Sequence, residues 1–399
     1  MNAPPNIDPA AAYSDSDVLH WLTNDARDER FIDNIFAEMC LRLQCAGILV
    51  KRATLHVLIQ HPQWLGAKFM WADGMRQAEI TRADHDVRGR SQYIGSPVSE
   101  IHDGATEVRE NLAGDPALGR KHAVYDEMRA MGLTDYVAWP LYHTLGKRHV
   151  VTFATDRPGG FDNAQIASLL KLLPILALVS EIRVKNRLAR TLLETYVGSH
   201  AGELILAGAT RRGTGTTVHA AIMICDLRDF TRISDNWPRD DVIDLLNGYF
   251  DAMSEPIARH GGEILKFIGD GLLAIFPLSE PHACANLLHA VTEARQAMIA
   301  LNEKNGETGR EPLNYGIGVH VGDVMYGNIG SRTRLDFTVI GPAVNMASRL
   351  EAFAKQLGKN VLLSRAFAGF VQGDFDLESV GEHQVRGFND PIELFAYHG

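Results

Sequence analysis

The spacing of apolar positions along the chain changes period several times, and each change predicts an element. Over 27–43, Phe31, Ile32, Ile35, Phe36, Met39 and Leu43 recur at three- and four-residue steps, which predicts a helix. Leu55, Val57 and Ile59 then alternate with His56, Leu58 and Gln60, the period of a half-buried strand. Two more strand-like runs, 136–141 and 149–154, flank a short polar loop and read as a hairpin. Pro158-Gly159-Gly160 breaks the pattern, and Asp162 is placed to cap a long helix over 163–196. In that helix Ile175, Leu178, Ile182, Lys185, Ala189, Leu192 and Tyr196 alternate in steps of three and four, a coiled-coil seam with one charged member. Pro174 is expected to kink or weaken its start. The seam reads either as a surface stripe or as a parallel dimer stalk, and its reach past the preceding domain favours the stalk.

A Gly/Thr/Arg stretch over 208–217 marks a boundary, after which the signals sharpen. An apolar strand at 221–225 is followed by a helix at 240–257. Two apolar strands then surround Gly269-Asp270-Gly271, a strong hairpin signal. A helix (283–303), a hairpin (315–325), a strand (335–340) and a helix (344–354) complete a β-α-β-β-α-β order. That order predicts an α+β, ferredoxin-like sheet with helices on one face.

Composition narrows the function. With 46% apolar and 22% charged residues, the 399-residue chain can bury a real core, which excludes a disordered, collagenous or disulfide-stapled protein. A net charge of -10 argues against a nucleic-acid partner but leaves room for a local phosphate site. Cys40, Cys45, Cys225 and Cys284 form no CxxC pair and read as buried thiols of a reducing compartment. The first 38 residues carry eight acids and two arginines, the wrong sign for a signal peptide. The longest apolar run, 169–179, is broken by Lys171 and Pro174 and reads as too short to span a bilayer. A cytoplasmic protein without membrane insertion is expected.

Three segments carry candidate chemistry. Asp226 ends a strand and Asp270 sits at a hairpin tip; carboxylates brought together at such a rim are hard oxygen ligands for Mg²⁺ or Mn²⁺. Taken alone, Asp270 reads as a turn aspartate chosen for positive φ far more often than as a ligand. Lys266 shares a strand face with Ile264 and Ile268 by simple alternation, with Leu265 and Phe267 on the other face. A lysine amid apolar neighbours needs a partner, unless it snorkels at an edge. Asn345 and Arg349 project from one helix face, where an amide and a guanidinium can meet an anion whose charge grows during reaction; alone they are a common solvated pair.

Taken together, Asp226 with Phe230-Thr231, Lys266 with Gly269-Asp270-Gly271, and Thr338 with Gly341, Asn345 and Arg349 resemble the class III nucleotide cyclases, from about 219 to 395. The resemblance implies formation of a 3′,5′-cyclic nucleotide from a nucleoside triphosphate at sites on a head-to-tail homodimer interface. It implies two Mg²⁺ (or Mn²⁺) ions on Asp226 and Asp270. It gives base reading to Lys266 and Thr338, substrate contacts to Phe230 and Thr231, and ribose orientation and transition-state stabilisation to Asn345 and Arg349. Arg332 occupies a place of phosphate-binding basic residues in the family, and Arg386 stands where many members have a phosphate-binding lysine. Lysine only donates and suits N1 of adenine, while threonine can accept from its amino group, so ATP is the expected substrate. Lysine could also donate to O6 of guanine; a guanylate cyclase and an inactive nucleotide-binding module are the alternatives. The layout of the first half, with its helix, strands, hairpin, Gly-rich turn and long exit helix, resembles a GAF-type sensory domain of α/β character, regulated by a small-molecule or protein effector. The expected organisation is a flexible N-terminus (1–26), a GAF-like domain (27–165), a helical linker (166–210) and a catalytic domain (211–399). His56, His61, His143 and His149 match no metal- or haem-ligand spacing.

Overall fold

The computed structural model describes residues 14–59, 64–385 and 390–399. The chain divides into two compact units, Met1–Leu192 and Leu193–Gly399.

The first unit opens with α1 (Asp15–Asn24), where a flexible end was expected. Ser14 explains the helix: its hydroxyl accepts from the Asp17 amide while the Asp17 carboxylate takes the Ser14 amide, a capping box. Val18, Trp21 and Leu22 are buried, so packing completes what the cap begins. Then follow α2 (Ile32–Cys45), β1 (Arg52–Leu58), β2 (Gly66–Ala72), β3 (Glu79–Ala83), α3 (Pro97–His102), β4 (Val108–Asn111), α4 (Ala123–Ala130), β5 (Asp135–Tyr142), β6 (Arg148–Thr155) and α5 (Asn163–Val197). The strands form one sheet in the order β3-β2-β1-β6-β5-β4. All its pairings are antiparallel, so the unit is α+β rather than the α/β expected. Alternation sorts its faces. Leu55, Val57, Val137, Trp139, Val151 and Phe153 pack with α1, α2 and α5. Tyr136, Ala138, Val150 and Ala154 pack with α3 and α4. The expected strand at Leu55 and Val57 and the hairpin β5–β6 are both present. His61 lies outside the described residues. His143 and His149 are core groups: their rings lie 4.0 Å apart, His143 meets Ser180 Oγ at 2.9 Å, and His149 Nδ1 accepts from the Leu58 amide.

Helix α5 runs through Pro174 without interruption. One 18-residue window of it, with mean hydropathy 1.7, is long and apolar enough to cross a membrane, and 33% of that window is buried. The expectation of a run too short to span is thereby corrected, because the apolar segments on both sides of Pro174 join into one helix. Much of that apolarity faces the core of the first unit: Leu169, Leu172 and Leu176 are fully buried, whereas Leu178 and Ile182 on the proposed seam are exposed.

The second unit contains α6 (Ser199–Leu206), β7 (Gly215–Leu227), α7 (Phe230–Asn236), α8 (Arg239–Arg259), β8 (Glu263–Ile268), β9 (Gly271–Pro277), α9 (Ala283–Glu307), β10 (Tyr315–Gly330), β11 (Leu335–Ile340), α10 (Pro342–Leu357), β12 (Val361–Ser364), α11 (Arg365–Val371), β13 (Leu377–His383) and β14 (Ile392–Tyr397). Its sheet runs β13-β14-β12-β10-β7-β9-β8, with β11 on β10. The four central strands realise the expected ferredoxin-like order. Two expectations fail. Helices cover both faces: α8 and α9 pack on the side of Met223, Leu272 and Ile317, while α10 and α6 lie on the side of Ala220, Ile222 and Val324. The predicted hairpin at 315–325 is instead one 16-residue strand, because Gly322 and Asp323 stay in register with Ala220 and His219 of β7. The turn comes at 331–334, closed by the Ser331 amide on the Arg334 carbonyl at 2.8 Å.

Candidate active site

Asp226 lies near the end of β7, opposite Gly316 of β10, and one residue beyond the Cys225–Leu272 pair with β9. The β8–β9 turn is a two-residue loop, Gly269-Asp270, closed by the Ile268–Gly271 pair. The positive φ of this turn, 65°, belongs to Gly269; Asp270 is not among the left-handed residues. Asp270 is therefore not there for backbone geometry, and the turn-residue explanation of it falls away. Its carboxyl is within hydrogen-bonding reach of the Asp226 carboxyl. A Cβ on Gly271 would stand 3.0 Å from Asp226 Oδ1, so glycine there leaves that carboxylate its space.

Burial, then the charges of Asp270 and Glu351, push the Asp226 carboxyl well above the usual carboxylate range. Neither Asp226 nor Asp270 has an ion pair with a lysine or arginine among the described residues. Two half-buried carboxyls held together without a cation fit a divalent metal, whose charge would offset their repulsion and whose hardness suits oxygen. Glu351, on α10, is a third carboxylate in electrostatic reach of both, and sequence reasoning missed it. Burial raises its carboxyl, and Arg228 partly offsets that shift. The available signal was Gly316-Ile317-Gly318 on β10. A Cβ on Gly318 would sit 2.2 Å from the Ala347 carbonyl oxygen, so the glycine lets the α10 backbone press onto the strand and brings Glu351 beside Gly316.

Lys266 does not share the face of Ile264. Register slips between Ile264, paired with Ala274, and Lys266, paired with Leu273, so a bulge at Leu265 turns Leu265 and Lys266 toward the side of Leu273. Such bulges re-aim side chains at functional rims. Lys266 Nζ lies 4.0 Å from Asp336 Oδ2, on β11, and both line a cleft of about 1220 Å³. Thr338, two residues along β11, is 3% exposed, and its Oγ1 is buried with no hydrogen-bond partner. An orphan hydroxyl of this kind costs about 1–3 kcal/mol unless a ligand completes it.

The remaining expected residues are dispersed. Phe230 is half-buried against the core at the start of α7, which Asp229 initiates in a left-handed conformation, φ 58°. Thr231 is exposed. Asn345 is exposed and Arg349 half-buried on α10, whose Ala343, Met346, Ala347 and Leu350 face inward. Arg332 is exposed at the β10–β11 turn. Arg386 lies outside the described residues. Within one chain the large cleft includes Lys266 but not Thr338, Asp226, Asp270, Asn345 or Arg349. The structure thus brings together the two carboxylates, and separately Lys266 with the β11 strand, but does not gather all the expected residues into one pocket.

The second unit thus carries a two-carboxylate rim on a ferredoxin-like core and a separate large cleft on the same sheet. Residues 215–399 match the family model of the adenylate and guanylate cyclase catalytic domain. The chain is 37% identical over 190 residues to an adenylate cyclase of Anabaena cylindrica, and 25% identical over 251 residues to adenylate cyclase 1 of Rhizobium meliloti. These alignments cover 46% and 61% of this chain, and only 37% and 38% of the relatives. Among solved structures it resembles the adenylyl cyclase CyaB from P. aeruginosa, with 28% identity and a TM-score of 0.43, covering 47% of this chain and 96% of that one. Enzymes of the family depend on Mg²⁺ or Mn²⁺, take nucleotide substrates and function as dimers.

Proposed function

We propose that the protein is an adenylate cyclase that converts ATP to 3′,5′-cyclic AMP and pyrophosphate at sites shared across a homodimer. The observation that carries the choice of base is the unpartnered Thr338 hydroxyl, on the strand that also meets Lys266. Lys266 donates to N1 of adenine, and Thr338 Oγ1 accepts from its amino group. Asn345 orients the ribose, and Arg349 stabilises charge growing at the α-phosphorus as the 3′-oxygen attacks and pyrophosphate leaves. Phe230 and Thr231 flank the phosphates, with Arg332 and Arg386 as candidate phosphate partners. Asp226 and Asp270 would hold two divalent ions, which when bound lower the pKa of the attacking hydroxyl and neutralise the leaving phosphates. The separation of the two carboxylates from the Lys266 cleft in one chain supports sites completed by a second copy. The exposed Leu178, Ile182 and Tyr196 on α5 support a helical stalk between the copies.

The first unit is proposed as a GAF-like regulator. Its helix, antiparallel strands, hairpin, Gly159-Gly160 turn and long exit helix support that reading. A cytoplasmic location suits a nucleoside triphosphate substrate and four unpaired thiols. The test is to incubate the purified chain with Mn²⁺ and ATP or GTP and identify the products. Cyclic AMP with pyrophosphate is expected. Cyclic GMP as the main product would make it a guanylate cyclase, and no cyclic product would make it a nucleotide-binding module.

A further inference from the structure

The first unit holds a half-open cavity of about 500 Å³, lined by the sheet face opposite α2 and by residues of α3 and α4. Its floor is polar. Thr54 and Thr152 are 4% and 3% exposed, with their hydroxyls 2.6 Å apart, and Thr54 Oγ1 lies 2.9 Å from His56 Nε2. Its wall is cationic: Arg52, Lys68, Arg82, Arg88 and Arg90 line it, against the single carboxylate of Glu127. In a chain of net charge -10 this is a local reversal of sign. The arginines are only partly compensated. Arg52 reaches Glu127 at 3.7 Å, Arg90 pairs with Asp84 at 2.9 Å, and Arg82 stacks on Trp64 at 4.1 Å. Lys68 and Arg88 have no ion pair among the described residues.

His102 adds a donor. Its Nδ1 lies 2.8 Å from the Tyr93 hydroxyl, while its Nε2 is buried without a partner. With Nδ1 accepting from Tyr93, Nε2 carries the proton and lacks an acceptor. The surplus positive charge is felt by both imidazoles. Burial first, then Lys68, holds His56 down to about 3, and burial first, then Arg88, lowers His102.

We propose that this cavity binds a small organic anion, its phosphate or carboxylate group met by Lys68, Arg88 and His102 and its body lying over the Thr54–Thr152 floor. The volume is that of a small-molecule site. An anion would supply the acceptor that His102 Nε2 lacks and the counter-charge that Lys68 and Arg88 lack. Val98 and Met128 give the wall an apolar part, which suits an organic body rather than a bare inorganic ion. The inference is independent of the cyclase activity, since binding is read without metal or nucleotide.

The test is calorimetry on the full-length chain in metal-free, low-salt buffer with three probes that share a phenyl ring: phenyl phosphate, benzoate and benzyl alcohol. At least one anion should bind saturably at one site per chain, and the uncharged alcohol at least about tenfold more weakly. The phosphate and carboxylate arms identify which group the site takes. The double variant Lys68→Gln, Arg88→Gln alters half-buried and exposed side chains and should fold normally, yet lose affinity about tenfold or more. His102→Asn should weaken binding less, and the ring signal of His102 should move on adding the anion to the unaltered chain. The proposal is overturned if neither anion binds saturably, if benzyl alcohol binds as tightly as the anions, or if the double variant keeps the original affinity.

Discussion

The two units leave polar groups uncompensated in different settings. In the first, several buried polar side chains pair within the core, where His143 meets Ser180, His149 takes an amide proton, and Asp135 holds both Arg109 and the Phe161 amide, while His102 Nε2 at the cavity is left without a partner among the described residues. The paired groups specify a core and say little about chemistry. In the second, the uncompensated polar groups lie at the rim of one sheet and on its β11 strand. Among the described residues, Asp226 and Asp270 face each other without a lysine or arginine, and Thr338 Oγ1 has no partner. The difference teaches where a ligand belongs. A folded chain tolerates unsatisfied groups of this kind where something else completes them.

The contrast breaks most sharply at the carboxylates. Asp226→Ala and Asp270→Ala should each lower cyclase turnover by roughly a thousandfold or more while leaving the melting temperature near that of the unaltered chain, because both residues lie at strand ends or turns. Near-normal turnover of either variant with Mg²⁺ would remove the metal assignment. In the first unit the expected loss is stability. Burial first, then neighbouring positive charge, depresses His149 to about 3 from the ordinary 6.5. The unfolded chain therefore binds the proton first as pH falls below the ordinary value, and stability present above it is lost progressively toward the folded value. Between about pH 7.5 and pH 5, His149 alone should cost the unit about 2 kcal/mol, and His149→Gln should flatten that slope. A pH-independent unfolding midpoint for this unit would show His149 to be no buried neutral group.

A smaller effect is expected at the base readers. Lys266→Glu with Thr338→Cys should shift the GTP to ATP turnover ratio by about tenfold or more, since glutamate accepts from guanine and opposes adenine N1. An unaltered ratio would detach these residues from the base. Smallest of all, Ile182→Asp with Leu192→Asp should weaken dimerisation severalfold and alter basal rate, by placing charges on the α5 seam. Unchanged association and rate would make the seam a surface stripe.

Much of the second unit was legible because its chemistry sits on short local signals. Gly269-Asp270-Gly271 marked the turn, and the strand ending at Asp226 marked the rim. What escaped depends on register between strands. The Leu265 bulge, which re-aims Lys266, leaves alternation along β8 outwardly intact. Likewise, the continuous pairing of Gly322 and Asp323 with β7 makes one strand of the hairpin expected over 315–325. Glu351 escaped because its place is set by the approach of α10 to Gly318, a tertiary contact. The first unit yielded its layers, since Leu55 and Val57 alternate cleanly. It did not yield its cavity, because Lys68, Arg88 and His102 come from three separate segments. The α1 helix was lost to a Pro- and Ala-rich flank, although Ser14 and Asp17 carried its cap in plain view.

Each active site is proposed to be completed by two copies of the chain, with the carboxylates from one and Arg349 from the other. Asp226→Ala and Arg349→Ala should each be almost inactive alone. Mixed in equal amounts and allowed to exchange subunits, they should form mixed dimers in which one site collects both lesions and the other none. Half the dimers are then mixed, with one intact site of two, so activity should return to about a quarter of that of the unaltered enzyme, given independent sites in a two-fold dimer. Recovery near that level is the predicted result; no recovery despite demonstrated subunit exchange would contradict shared sites.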